Sequence, residues 1–232
     1  MAKIDAFVAY IESQVKTAPI EVIRQKLRDT LAEFLTKTRV YTVDLGTVSI
    51  VASTHTYSLR DVTPEGFLVA ELPRAWYNSG RIWSRSNEEI ARLFGQDWKT
   101  RTAVEPVYYT RPTPQEIRLF AIPTTAVSDG LLCEAVLKTS PDAREVPDWI
   151  YEEYREGIAH GALMRLYGQL HTPWGSANAK EQEQRQYNNA LGVAAERGTR
   201  TDSDTVPVVR AVGFGGIVDP GLELFDETFE LE

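Results

Sequence analysis

Glu156 and His160 stand four residues apart in the run EEYREGIAHGALMRLYGQLH, residues 152–171, so a helix places a carboxylate and an imidazole on one face. Such a pair can ligate a metal. Helical carboxylate metal sites, however, need several converging ligands, commonly a Glu-x-x-His on each of two helices. Here the spacing is Glu-x-x-x-His and occurs once; His171 ends the same run, and His55 lies in a strand-like segment. The pair therefore reads as a surface contact between neighbouring turns. Cys133 sits inside an apolar, strand-like run with no small-residue elbow to present a nucleophile. No glycine-rich phosphate loop with its lysine appears, and Gly213-FGG is too short to make one. The expectation is a protein that is not an enzyme, with no catalytic residue, cofactor or metal.

Gly157 and Gly161 in the same run call for another explanation. A glycine inside a helix costs about 1 kcal/mol against alanine. Two of them four apart, followed by Ala162, clear a strip on which a second helix can lie close. That helix belongs either to the chain's own N-terminal segment or to a neighbouring subunit.

These residues must be positioned by the rest of the chain, and its composition is that of a globular protein: 232 residues, 43% hydrophobic and 25% charged. That length suffices for one large domain or two small ones. A net charge of -8 argues against a broad nucleic-acid-binding face. The single cysteine excludes an internal disulfide and suits a reducing compartment. No apolar run reaches the length of a membrane span, and the N-terminus lacks a signal-peptide pattern, so no membrane partner is expected.

The hydrophobic period divides the chain into zones. Asp5 is placed to cap a short helix with Phe7, Tyr10, Ile11 and Val15 on one face. Pro19 opens a second, whose stripe is Ile20, Ile23, Leu27, Leu31, Phe34 and Leu35. From about residue 40 to 143 the pattern becomes short β-branched and aromatic runs between Gly, Pro, Asp and Asn, the mark of an antiparallel sandwich or barrel. Ser86 and Glu89 form a capping box for one helix within it, which stops at Gly95. Trp76, Trp83 and Trp98 in this zone also fit a second reading, a soluble binding module that recognises a glycan or protein. Helical pattern returns after Pro147 and again after Ser176, ending near Gly198.

The fold class expected is α+β. Residues 1–39 and 145–198 form a helical bundle, residues 40–144 an inserted antiparallel β-sandwich or barrel, and residues 199–232 an extended C-terminal arm. The arm carries Val208, Val209, Phe214, Phe225 and Phe229 as candidate partner contacts, in a segment too sparse in apolar residues to build its own core.

The order of several motifs resembles the adaptor, or head-to-tail connector, proteins of tailed bacteriophages. Those motifs are the N-terminal Phe7-VAYIESQVKTAP and Ile23-RQKLRDTLAEFLTKTRV, then Tyr57-SL, Pro106-VYY and Ile117-RLFAIP. Val146-PDWIYEEYREGIAHGALMRLY, Pro173-W and Gln186-YNNALGVAAERG close the series. The resemblance covers residues 5–198 and implies a structural virion protein at the neck, made in the host cytoplasm. It implies a ring, usually of twelve copies, beneath the portal protein. Its partners would be the portal, neighbouring adaptor subunits and the next tail or nozzle component, with DNA present only in transit.

Overall fold

The structure, a computed structural model, describes residues 1–202. Within them the chain is α+β, with five α-helices and a curled mixed sheet. The expected arm contacts Val208, Val209, Phe214, Phe225 and Phe229 lie outside the described residues.

A two-residue strand, β1 (Ala2–Lys3), precedes α1 (Asp5–Gln14) and α2 (Ile20–Thr38). Asp5 is the first residue of α1 rather than its cap, and its carboxylate instead accepts from the Arg24 guanidinium at 2.9 Å. In α2, Ile23, Leu27, Thr30, Leu31, Phe34, Leu35 and Thr38 are buried, the three-and-four spacing of one helical face. Full burial of each aliphatic or aromatic side chain contributes about 1.5–3 kcal/mol. The helix ends at Arg39, whose left-handed backbone (φ 54°) turns the chain towards the sheet.

Strands then follow in quick succession: β2 (Thr42–Asp44), β3 (Val48–Ile50), β4 (Thr56–Ser58), β5 (Phe67–Tyr77) and β6 (Gly80–Ser84). Next come α3 (Asn87–Phe94), β7 (Thr102–Ala103), β8 (Tyr108–Thr110), β9 (Glu116–Phe120), β10 (Ile122–Pro123) and the long β11 (Val127–Thr139). Eight strands join in one sheet, in the order β2-β11-β5-β6-β8-β9-β4, with β3 also paired to β11. The expectation of an antiparallel sheet holds for most pairs but not for β6 and β8, which run parallel. A parallel pair needs a long crossover. Residues 85–107, which contain α3, supply it. A second parallel pair, β7 with β10, stands apart from the main sheet.

β12 (Glu145–Val146) pairs with β1 and leads into α4 (Asp148–Tyr167) and α5 (Ala177–Asp202). Ser176 accepts from the Ala179 backbone at the start of α5. α5 does not stop at Gly198 but continues to Asp202. Gly198 serves a crossing instead: a Cβ there would stand 2.1 Å from the Thr38 carbonyl oxygen at the end of α2. The first residues expected in the arm are therefore helical.

One hydrophobic core runs from Phe7, Leu27 and Phe34 on the helices to Val69, Leu119 and Leu137 on the strands. Cys133 is buried in it, and burial pushes its thiol up to about 12, which leaves it un-ionised and inert.

An ion pair crosses the α2–α4 seam, where Glu33 takes both Lys37 and Arg165. Burial works to raise the Glu33 carboxyl, but the Lys37 hydrogen bond and the Arg165 charge together outweigh it and hold the group below its ordinary value. A carboxylate depressed by folding stabilises the protein above its unfolded pKa, and the gain is lost as pH falls through the lower folded value. Glu33→Gln is expected to flatten the acid limb of the stability–pH curve, read as thermal midpoint against pH. An unchanged slope below the ordinary carboxylate range would show that this seam carries no linkage.

Candidate interaction site

α4 lies antiparallel to both α2 and α5, and its two glycines mark where the three approach most closely. A Cβ on Gly157 would stand 2.6 Å from the Ala190 Cβ of α5 and 4.0 Å from the Phe34 ring of α2. On Gly161 it would stand 2.5 Å from Thr30 Cγ2 and 2.6 Å from the Tyr187 ring. Carbon atoms at rest pack at about 3.5–4.0 Å, so only hydrogen fits at either position. The side chains opposite are small or flat for the same reason: Ala190 and Thr30 are short, and Tyr187 meets Gly161 with the carbons of its flat ring. Tyr187 is buried, and that burial raises its hydroxyl well above the usual tyrosine range, with the Glu33 charge adding to it.

His160, one residue from this strip, does not pair with Glu156. Its Nδ1 lies 2.5 Å from a Glu183 oxygen on α5, whereas Glu156 is exposed. The contact joins two helices instead of neighbouring turns of one. Glu153 and Arg197 make a similar link at 3.1 Å near the other end of α5. His171 is exposed beyond α4, and His55 lies beside Arg118 near β9. Among the described residues, no three His, Cys, Asp or Glu side chains converge as metal ligands do.

The three tryptophans named by the sequence occupy different environments. Trp98 is buried with Ile90, Phe120 and Ala121 in a small second core beneath α3. The capping box forms as expected: Ser86 accepts from the Glu89 backbone, and the Glu89 carboxylate accepts from the Ser86 backbone. Trp76 is half-buried on β5 opposite Arg81 of β6. Trp83 is 49% exposed.

β6 also supplies a surface that no sequence motif singled out. Arg81, Trp83 and Arg85 alternate along the chain and so share one side of the strand region. The Arg81 guanidinium lies 4.3 Å from the Trp83 ring centroid. Tyr108, the register partner of Trp83 on parallel β8, carries Arg85 at 5.9 Å. Phe94 from α3 meets Tyr108 at 6.0 Å and carries Arg101 at 5.9 Å. The result is a row of three rings, each with an arginine stacked on it. The spacing Arg-x-Trp-x-Arg was the available signal; that Tyr108 and Phe94 continue the row depends on the crossover.

Closely interlocked helices joined to a sheet with an arginine-stacked aromatic face define an α+β protein characterised by packing seams and surfaces. A family model described as SU10 adaptor protein matches residues 4–211. The chain belongs to that family, which comprises phage head-to-tail adaptors and so implies a virion component that meets other virion components. A search of curated proteins found no match. No helix among the described residues is long and apolar enough to cross a membrane.

The glycine seam makes a position-specific expectation. Gly161→Leu should destabilise the protein by about 1–3 kcal/mol through overpacking. At Gly192 on α5, by contrast, a Cβ would meet nothing within 4 Å. Gly192→Ala should therefore stabilise by about 0.4–1 kcal/mol through the unfolded chain. Equal thermal midpoints for the two variants would mean that α4 does not lie this close to α2 and α5.

Proposed function

We propose that this protein is a non-enzymatic structural component of the phage neck. It assembles as a ring, dodecameric as is usual among the adaptors it resembles, beneath the portal at the capsid vertex. The ring presents a surface for the next tail or nozzle component, and DNA passes through its channel. The observation that carries this reading is the adaptor family match across residues 4–211.

The fold supports it. A ring subunit has to transmit load between layers without deforming, and α2, α4 and α5 are held close by Gly157 and Gly161, which face side chains of the neighbouring helices, and by Gly198, which meets the Thr38 backbone. The helices and strands share one core, so motion between them would expose apolar surface. Residues 1–39 with 145–198, and residues 40–144, would then contact different layers of the neck. Charge bears on the channel as well. Of the 33 acidic residues, seven fall in residues 203–232, with one of the 25 basic residues. Residues 1–202 are therefore near balance, at 26 acidic against 24 basic, and the surplus that would repel phosphate is concentrated in the C-terminal segment.

Mixing the purified protein with its portal and measuring mass tests the assignment. A gain equal to a dodecamer of 26.1 kDa subunits is expected. A portal that gains no mass at saturating protein would overturn it. A monomer in the absence of portal is compatible with assembly on a template.

A further inference from the structure

We propose that the aromatic face formed by Trp83, Tyr108 and Phe94, with Arg81, Arg85 and Arg101 stacked on it, is the docking site for residues 219–232 of a neighbouring copy of this chain.

The face has the composition of a binding hot spot, in which tryptophan, tyrosine and arginine predominate. Trp83 is 49% exposed although it is large and apolar, and Val107, whose carbonyl accepts from the Trp83 backbone, is 51% exposed. Arg85 and Arg101 are partly neutralised, by Glu89 at 3.5 Å and Asp97 at 3.8 Å. Arg81 forms no ion pair among the described residues and is held over the Trp83 ring. A partner that neutralises Arg81 while covering Trp83 would therefore be acidic and aromatic.

The chain itself contains such a segment. Residues 219–232, DPGLELFDETFELE, hold six acidic residues, no basic one, and the apolar Leu222, Leu224, Phe225, Phe229 and Leu231. No other stretch of the sequence joins that charge density to two phenylalanines. It lies beyond the family match, which ends at residue 211. The thirty residues after Asp202 can span about 100 Å at full extension, ample to reach an adjacent subunit. The choice of a neighbouring copy rests on the ring proposed above, which sets identical faces side by side. Each copy would then both offer the segment and receive it, a head-to-tail contact that closes in a ring.

The first test is peptide binding without portal. A labelled peptide of residues 219–232 is titrated onto the full chain carrying Phe225→Ser and Phe229→Ser, which weaken its own segment. Saturable binding is expected, weakened at least tenfold by Trp83→Ala or by Arg81→Glu and weakened again by salt. Both substituted positions are exposed, and an unchanged thermal midpoint confirms that the fold is intact. Absence of binding, or binding indifferent to both substitutions, overturns the site. The second test mixes two full-length variants of different mass, Val107→Cys beside Trp83 and Thr228→Cys next to Phe229, under mild oxidation at concentrations where the labelled peptide binds, so that Trp83 and Phe229 are both kept. Native Cys133 is buried and stays silent. Disulfide-linked heterodimers in excess of both homodimers are expected, whereas none would overturn docking between copies. Neither measurement contains portal, so failure here and failure of the ring assay are separate results.

Discussion

Everything in the helical part of this protein depends on how closely α4 can approach α2 and α5. The limit is set at Gly157 and Gly161, where any side chain would occupy space already held by Ala190, Thr30 and Tyr187. A glycine in mid-helix weakens the isolated helix. In return the helices come close at these positions, with the rings of Phe34, Tyr154 and Tyr187 packed beside them. Gly198 repeats the device at the end of α2, which is why α5 runs on past a residue that usually signals a stop. The polar links His160–Glu183, Arg165–Glu33 and Arg197–Glu153 then lie along seams whose spacing the glycines define.

The sheet obeys a different constraint. β11 and β5 form a long antiparallel ladder, broken in register near Val136, and bulges of this kind increase local twist. The crossover through α3 forces β8 parallel to β6, and α3 then covers part of the outer side of the sheet with Ile90 and Phe94. It leaves Trp83 uncovered. Thus the same connection that completes the small second core creates the arginine-stacked face beside it. For a protein whose family joins one virion component to another, a rigid seam and an exposed face are separable requirements, and this chain places them on different elements.

Much of this was legible in the sequence because it rests on local rules. The apolar stripe of α2 from Ile23 to Leu35, though not Ile20, which is exposed at the helix start, the Ser86–Glu89 capping box, the buried Cys133 and the α+β class follow from periodicity and cap chemistry, which act over a few residues. The order of the motifs across residues 5–198, of which the Val146–Tyr167 run is the most specific, indicated the adaptor family. The spacing of Gly157 and Gly161 announced a close contact. It did not name the occupant, because Thr30 and Tyr187 lie far away along the chain.

What the tertiary structure alone decided are the long-range pairings. The i,i+4 geometry of Glu156 and His160 suggested a partner within one helix, yet the half-buried imidazole faces α5, where Glu183 is nearer and more sheltered. Asp5 has the chemistry of a cap but commits its carboxylate to Arg24, delivered by the turn between α1 and α2. The parallel β6–β8 pair could not be read from alternation, since strand patterning records which side chains point inward and not the direction of the neighbouring strand. By itself the sequence determined most of the helix stripes and the Ser86–Glu89 cap, because periodicity and cap chemistry act over a few residues, whereas Tyr10 and Ile20, expected on apolar faces, are exposed. Which buried surfaces meet, and which aromatic residue is left outside, emerged only when distant segments competed for the same neighbours.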